Sequence, residues 1–339
     1  MNMMKEIIAK VVKGDNLTRE EAILAMDQIM DGKATDAQIG AFLTALRIKK
    51  ETIEELTGFA FVMREKSTRI TVDEGTNVID TCGTGGDIKG TFNISTAAAF
   101  VVAGTGIKVA KHGNVAVSSH CGSADVLRLL GVNIEASIPT VERCIREANI
   151  GFLFAPRLHD SMKYASKARR EIGIRTVFNI LGPLTNPARA ARQVIGVYDA
   201  SLTTTLAEVL RNLESKHAFV VHGMDGLDEI TTTERTFVSE LVNGDVKSYY
   251  VSPEDFGVER ACLEGLIVKS PEESALTIKE IMDGICGPKR DIVLVNAAAA
   301  IIAGGGEKDF KSAAKLAAQS IDSHQARKAV ERLIEISWT

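Results

Sequence analysis

From about residue 77 onwards, short apolar runs alternate with segments of helical periodicity, and this alternation constrains the fold more than any other feature of the chain. The runs predicted to be strands are NVIDTC, IKVAK, GVNIEA, IGFLFA, QVIGVYDA and HAFVVHG. The helices predicted between them are TAAAFVVAG, SADVLRLLG, TVERCIREAN and TLAEVLRNLES. Such alternation indicates parallel βαβ units. We therefore expect an α/β fold with a mainly parallel central sheet flanked by helices, followed by a hairpin around Asn243-Gly244.

The first part of the chain, up to about residue 72, has a different pattern and is predicted to be purely helical. Three capping boxes open helices there, pairing Thr18 with Glu21, Thr35 with Gln38 and Thr52 with Glu55. The apolar residues that follow each box are spaced for amphipathic helices that pack as a small bundle. We expect this bundle to be a scaffold.

Charge and cysteine usage exclude several classes of protein. Lys and Arg number 40 against 44 Asp and Glu, and the net charge of -4 argues against a protein that coats nucleic acid. The five cysteines are widely spaced and form no C-x-x-C pair, as is usual for reduced intracellular thiols. The N-terminus carries lysines within its apolar pattern, unlike a signal peptide. No apolar run reaches the roughly 18 residues of a membrane helix. We expect a cytoplasmic location and no membrane or nucleic-acid partner.

Four predicted strands end in unusual polar segments, which should meet at one edge of the sheet. These segments are GTGGD from Gly83, KHGN from Lys111, PRLHD from Pro156 and HGMDGLDE from His222. In parallel sheets, ligands bind beyond the carboxyl ends of the strands. The four segments are therefore predicted to form one site.

The segment DTCGTGGDIKGTFNIST, residues 80–96, resembles a phosphate-binding loop but fits neither common template. Ile88 stands where a Rossmann fingerprint requires glycine, and Thr91 stands where a Walker A loop requires lysine. Glycine amides and the start of a helix carrying Asn93, Ser95 and Thr96 still favour an anion. Asp87 would repel a bare phosphate, but a bridging Mg²⁺ or sugar hydroxyls would make it favourable. A phosphorylated sugar, or a diphosphate with a metal, is the predicted ligand.

The other polar segments supply further candidates. Lys111 offers a compact cation, and Ser118, Ser119 and Ser123 precede the next helix as a second anion site. Asn114 could orient a planar ligand through its amide, whereas we interpret His112 as structural.

Two further segments carry charged candidates. Asp228 and Glu229 form a carboxylate pair, the type of ligand that Mg²⁺ uses beside diphosphate oxygens. In RLHDSMKYASKARREIG, one arginine could face inwards and pair with a substrate carboxylate.

In order along the chain, GTGGD, TFNIST, KHGN, NPAR and the Asp228-Glu229 pair resemble the anthranilate phosphoribosyltransferase family, and the resemblance covers essentially the whole sequence. It implies a homodimer whose small helical domain comprises residues 1–73 and a returning segment near 168–186. Residues 74–167 and 187–339 would then form the large α/β domain. It also implies the small-molecule substrates 5-phosphoribosyl 1-diphosphate and anthranilate, and Mg²⁺ as cofactor.

Carried onto this sequence, the resemblance implies three sets of site residues. The phosphoribosyl diphosphate set is Gly83, Gly86, Asp87, Thr91, Asn93, Ile94, Ser95, Thr96, Lys111, Ser119 and Ser123. The anthranilate set is Gly83, Asn114, His159, Arg169 and Pro183. The magnesium ligands are Ser95, Asp228 and Glu229. No general base is assigned, since an aromatic amine is already a nucleophile. Lys111, Asn114 and Arg169 are expected to act electrostatically and by positioning.

Two alternatives remain at this stage. One is a pyrimidine nucleoside phosphorylase, which shares the architecture but differs from KHGN in its phosphate loops and typically carries an additional C-terminal α/β region. The other is a nucleic-acid-binding relative without catalysis, for which the acidic balance of this chain is unfavourable.

Overall fold

The chain begins with four helices whose N-termini are set by the predicted capping boxes. The computed structural model describes residues 3–73, 76–86, 89–115 and 122–339. The first four helices are α1 (Met3–Val12), α2 (Arg19–Met30), α3 (Asp36–Lys49) and α4 (Ile53–Lys66). Thr18, Thr35 and Thr52 each accept a hydrogen bond from the backbone three residues later, and the Glu or Gln there reciprocates. All three predicted capping boxes are confirmed.

A seven-stranded sheet, formed by described residues, makes up the centre of the rest of the chain. Its strands are β1 (Val78–Gly83), β2 (Lys108–Gly113), β3 (Ile150–Phe154), β4 (Arg192–Gly196), β5 (His217–Gly223), β6 (Thr236–Val242) and β7 (Asp245–Val251). The strand order is β3-β2-β1-β4-β5-β6-β7. The first five strands in the chain pair in parallel, and β6 and β7 add an antiparallel hairpin. Asn243 and Gly244 both have positive φ at its turn, as a two-residue hairpin requires.

Helices cover both faces of this sheet. They are α5 (Ile94–Gly104), α6 (Ser123–Leu129), α7 (Ile138–Glu147), α8 (Ala155–Leu158), α9 (Lys163–Ile172), α10 (Phe178–Leu181), α11 (Ser201–Asn212), α12 (Pro271–Met282), α13 (Pro288–Gly304), α14 (Phe310–Asp322) and α15 (Gln325–Ser337). The alanine-rich helices α5 and α13 are almost wholly buried, because their small side chains allow close helix packing. The predicted fold class, a helical part plus a mainly parallel α/β part, is confirmed.

The apolar cores show how these parts pack. One core combines α5, α13 and one face of the sheet, whereas a second core joins α1–α4 to α9, α10 and the opposite face. Segment 165–184 therefore packs with the N-terminal helices. The exact domain limits given above stay a prediction. None of the described helices is both long and apolar enough to cross a membrane.

One strand prediction is wrong. GVNIEA, residues 131–136, forms a turn after α6. Gly131 has a φ of 101°, and the Asn133 side chain accepts from the Glu135 amide at 3.1 Å, which curls the chain. Val132 and Ile134 are still buried, because the turn directs both into the main core. The alternation of apolar residues reflects burial here without strand pairing.

Candidate active site

A cavity of about 650 Å³ opens at the carboxyl ends of the parallel strands, where the sequence predicted a site. Its lining draws on all four predicted polar segments and on the start of α5. Of these segments, PRLHD is not a simple loop, since its first residues form the single turn α8. Lining residues that the sequence singled out are Gly83, Gly86, Thr91, Asn93, Ile94, Ser95, Lys111, His112, Asn114, Ser123, His159, Arg169, Pro183, Asp228 and Glu229.

One described residue of the predicted sets, Thr96, does not line the cavity. Thr96 is fully buried, and its hydroxyl donates a hydrogen bond to the Asn93 side chain at the start of α5. Asp87 and Ser119 lie outside the described residues, as does Ser118. The proposed sugar or metal role of Asp87 therefore stays a prediction.

The glycine loop continues directly from β1. The Thr84 amide donates to the Gly196 carbonyl at 2.9 Å, which ties the start of the loop to the end of β4. Gly85 and Gly86 have φ values of 62° and 89°, a region that favours glycine. At Gly83 a Cβ atom would lie 2.9 Å from Asp228 Oδ2, so glycine there allows the loop and the acidic pair to approach closely. The start of the loop thus lies next to a carboxylate.

Lys111 reaches the cavity from inside the sheet. It is only 2% exposed, and its Nζ donates to the Thr81 carbonyl at 2.6 Å and to Ser95 Oγ at 3.3 Å. Burial lowers the pKa of Lys111, and the nearby Asp80 carboxylate opposes that effect. A cation held this rigidly between β1 and α5 suits an anionic group bound at the helix start.

Beneath Lys111 lies a buried polar network that the sequence did not predict. The carboxylate of Asp80 is fully buried and accepts from the His112 amide at 3.1 Å. Asn186, from the NPAR motif, donates to the same carboxylate at 2.8 Å and to the Ala110 carbonyl at 2.8 Å. Burial raises the pKa of Asp80, whereas the Asn186 hydrogen bond acts in the opposite direction. This network fixes β2 on both sides of Lys111.

Two histidines line the cavity as a buried pair. The rings of His112 and His159 have centroids 5.1 Å apart. Burial lowers the pKa of His112 to about 3 and that of His159 to about 4, so both are neutral near pH 7. A neutral His112 packed between strand and loop agrees with its interpretation as structural.

The acidic pair follows β5 and is held by a residue far along the chain. Ile230, directly after Glu229, donates its amide to Asn296 Oδ1 at 2.9 Å and accepts from Asn296 Nδ2 at 2.8 Å. Asn296 lies buried in α13. On the other side, a Cβ at Gly196 would overlap the Asp228 carbonyl, so glycine lets β4 approach the pair. Both carboxylates therefore have a defined backbone position.

The three residues predicted to bind magnesium have suitable donor atoms. Ser95, Asp228 and Glu229 offer only oxygen atoms, the ligand type that Mg²⁺ prefers. No group of three His, Cys, Asp or Glu residues suited to a metal occurs within the described ranges. Two carboxylates with a hydroxyl leave coordination positions for water and for ligand oxygens, as is usual for Mg²⁺ bound with phosphates. The residues therefore fit the predicted metal.

Arg169 and Asn114, both predicted to contact anthranilate, line the cavity. Arg169 projects from α9 with its guanidinium 5.0 Å from the centroid of the Phe178 ring, and burial lowers its pKa. Asn114 is exposed at the end of β2, and its Oδ1 accepts from the Val115 amide at 2.8 Å. An arginine beside an aromatic ring can hold a planar aromatic carboxylate by charge and by stacking.

Sequence reasoning missed three residues that support this site. Asn186 was noticed only as part of a motif, Asn296 lies within an apolar helix, and Arg175 follows the charged helix α9. A polar residue in an apolar helix, as at Asn296, could have signalled a buried partner. For Arg175, which contacts the glycine loop, no local pattern exists, because its partners are distant in sequence.

Two domain models of one protein family match most of the chain. The model of the glycosyl transferase family a/b domain matches residues 75–327, and that of the family's helical bundle domain matches residues 5–67. The anthranilate phosphoribosyltransferase of Symbiobacterium thermophilum is 53% identical, covering 98% of each chain. That of Geotalea uraniireducens is 50% identical, covering 99% of each.

Solved structures are also similar. The anthranilate phosphoribosyltransferase of Thermus thermophilus superposes with a TM-score of 0.92 at 38% identity, covering 98% of this chain and 99% of that one. The enzyme of Saccharomyces cerevisiae, in complex with PRPP and Mg, gives 0.89 at 29% identity, covering 99% and 98%. The resemblance stated from the motifs is confirmed.

Proposed function

Since the chain belongs to the anthranilate phosphoribosyltransferase family, we infer that it transfers the 5-phosphoribosyl group of 5-phosphoribosyl 1-diphosphate to the amine of anthranilate. The products are N-(5-phosphoribosyl)anthranilate and diphosphate, and the reaction belongs to tryptophan biosynthesis. The observation that carries this inference is that the glycine loop, Lys111 and Arg169 of α9 all line the same cavity. It provides an anion cradle and a carboxylate-binding cation within one space.

We propose that the diphosphate end of the substrate binds at the loop after β1 and the start of α5. The amides near Gly83 and Gly86, the residues Thr91 and Asn93, and the dipole of α5 would meet the phosphate oxygens. Ile94, Ser123 and the buried Lys111 complete that set. Asp87 and Ser119 remain members of it as predictions only.

Transfer breaks the bond between the anomeric carbon and the diphosphate oxygen, and the amine nitrogen forms a new bond to that carbon. The electron pair of the breaking bond leaves with diphosphate, so negative charge grows there in the transition state. The Lys111 ammonium, fixed by two hydrogen bonds, would stabilise that charge without reorganising. The amine loses one proton on transfer, and we assign no residue to accept it.

Magnesium would be held by Ser95, Asp228 and Glu229, together with diphosphate oxygens. When bound, Mg²⁺ neutralises charge on the leaving group. The yeast relative was solved in complex with PRPP and Mg, which supports the same cofactor here.

Anthranilate would bind between Asn114 and Arg169, with Gly83, His159 and Pro183 as further lining. Arg169 would pair with the carboxylate, and His159 would contribute an uncharged side chain to the lining. A yeast relative was solved in complex with 4-fluoroanthranilate, which supports this class of ligand. Positioning of the amine near the anomeric carbon would supply much of the rate.

We also propose that the protein works as a homodimer in the cytoplasm, without nucleic-acid or membrane partners. Four described cysteines, Cys82, Cys144, Cys262 and Cys286, are free thiols, as is usual for cytoplasmic proteins. Light scattering at micromolar concentration would give the mass of two chains, and a mass of one chain would contradict the dimer.

Anthranilate fluorescence provides the test of function. We expect the fluorescence to fall when 5-phosphoribosyl 1-diphosphate and Mg²⁺ are added to the folded protein, and to persist when ribose 5-phosphate replaces the diphosphate. Persistent fluorescence with the full substrate set would refute the proposal. Release of free base from a pyrimidine nucleoside with inorganic phosphate would favour the phosphorylase alternative.

A further inference from the structure

Arg175 contacts the glycine loop and a ring that follows β4. It lies between α9 and α10, and its Nη2 donates to the Gly85 carbonyl at 3.0 Å. Its guanidinium also lies over the Tyr198 ring, 4.0 Å from the centroid. The arginine is half-buried, so its hydrogen bond and ring contact are partly shielded from water. Two different partners therefore fix one guanidinium group.

Tyr198, the ring beneath Arg175, is itself attached to the glycine loop. It follows β4, and its amide donates to Thr84 Oγ1 at 3.3 Å. The Thr84 amide in turn donates to the Gly196 carbonyl at the end of β4. Hydrogen bonds thus connect both the loop and the residue that carries the ring to the end of β4, and Arg175 contacts both.

The position of Gly86 shows how closely Arg175 approaches. A Cβ atom at Gly86 would overlap the Arg175 guanidinium, so a side chain at that position would displace the arginine. Arg175 Nε is also buried and has no hydrogen-bond acceptor among the described residues.

The geometry has a direct consequence for the loop amides. Drawing the Gly85 carbonyl towards Arg175 orients the peptide plane between Gly85 and Gly86, because the amide of Gly86 points away from that carbonyl. The same segment carries Arg169 on α9 and Phe178 on α10, both of which line the cavity. Arg175 therefore connects the loop to the segment that carries these two lining residues.

We propose that Arg175 is a positioning residue for the diphosphate substrate: it orients the Gly85-Gly86 peptide so that the Gly86 amide faces the phosphates, with Tyr198 as its support. The proposal rests on the function proposed above, in which this loop binds diphosphate. It assigns no contact between Arg175 and the substrate.

The experiment measures binding of 5-phosphoribosyl 1-diphosphate with Mg²⁺ by calorimetry, without anthranilate, so that no turnover is needed. For Arg175→Met we expect the Kd to rise about tenfold, as for loss of one charge-assisted hydrogen bond. Arg175→Lys should recover part of that loss, since an ammonium can still donate to the Gly85 carbonyl. Arg170→Met, which removes an exposed arginine at the end of α9, should bind as the wild type does.

The Tyr198 variants separate positioning from folding. Tyr198→Phe keeps the ring and should leave the Kd unchanged, whereas Tyr198→Leu removes the ring and should raise the Kd about threefold. The melting temperatures of Tyr198→Phe and Tyr198→Leu should match closely. Equal Kd values for wild type, Arg175→Met and Tyr198→Leu would overturn the inference while leaving the proposed function intact. Absence of binding by the wild type would instead overturn the proposed function, and this inference with it.

Discussion

The side chain of Asn186 donates a hydrogen bond of 2.8 Å to the Asp80 carboxylate in the interior of the protein, joining the loop after α10 to the first strand. The same nitrogen also donates to the Ala110 carbonyl, just before Lys111. One amide group therefore stabilises a buried carboxylate by hydrogen bonding and also holds β2 next to the proposed diphosphate site.

We expect Asn186→Ala to destabilise the protein by about 3 kcal/mol, because it leaves a buried carboxylate and a buried carbonyl each short of a partner. Urea unfolding would measure this loss. Asn77→Ala, which removes an exposed amide, is the control and should change stability by less than about 0.5 kcal/mol. An equally small change at Asn186 would show that the network contributes little.

Lys111→Met should retain the fold and lower kcat by about 10²–10³-fold, since a preorganised cation at the leaving group is lost. Methionine fills a similar volume within the sheet. Lys108→Met, at the other end of the same strand, is the matched control, because Lys108 Nζ donates to the Arg146 carbonyl away from the cavity. Steady-state rates of anthranilate consumption would show whether only the first variant is impaired.

Arg169→Met should raise the KM for anthranilate about tenfold or more and leave the KM for the diphosphate substrate nearly unchanged, because only anthranilate carries a carboxylate for this arginine. The neighbouring Arg170 is exposed, and Arg170→Met should alter neither KM. If both KM values rose equally in Arg169→Met, the arginine would have another role.

The pair of changes Asp228→Asn and Glu229→Gln should raise the Mg²⁺ concentration for half-maximal activity about tenfold or more, since amides are weaker ligands for a hard cation. A magnesium titration at saturating substrates would measure this. Glu234→Gln, an exposed acid in the following loop, serves as control. An unchanged titration curve for the double variant would exclude these two residues as ligands.

The buried imidazoles should make the fold sensitive to acid. The folded pKa values of about 3 for His112 and about 4 for His159 lie below the ordinary value of 6.5. The unfolded chain therefore binds protons that the folded protein does not. The contribution of the two neutral histidines to stability is complete above pH 6.5 and is lost as the pH falls towards 4. Each imidazole should remove about 1.4 kcal/mol per pH unit within that window.

Urea midpoints at pH 7.5 and pH 5.5 would measure this loss. His159→Gln cannot take up a proton, so its stability should fall less over the same range than that of the wild type. Equal losses in the two proteins would indicate that His159 does not contribute to the acid sensitivity.

Local signals in the sequence were sufficient for most of the architecture. Capping boxes at Thr18, Thr35 and Thr52 depend on residues three apart, and the hairpin at Asn243-Gly244 depends on two adjacent residues that tolerate positive φ. Parallel pairing followed from the alternation of strands and helices. Because the strands are parallel, the four polar segments that follow them were predicted to meet at one edge of the sheet. The error at residues 131–136 arose because apolar alternation reports burial, and burial does not require a neighbouring strand.

The amino-acid sequence alone was enough to predict the chemistry of the candidate site: glycines for an anion, Lys111 as cation, and Asp228-Glu229 for a hard metal. The contacts that hold these groups in place could be found only in the folded chain. Asn186 reaches Asp80 across 106 positions, Asn296 reaches Ile230 across 66, and Arg175 reaches Gly85 across 90. The physical reason is that a hydrogen bond requires proximity within about 3 Å but no particular spacing in the chain. Such partners become visible only when the backbone has been folded around them.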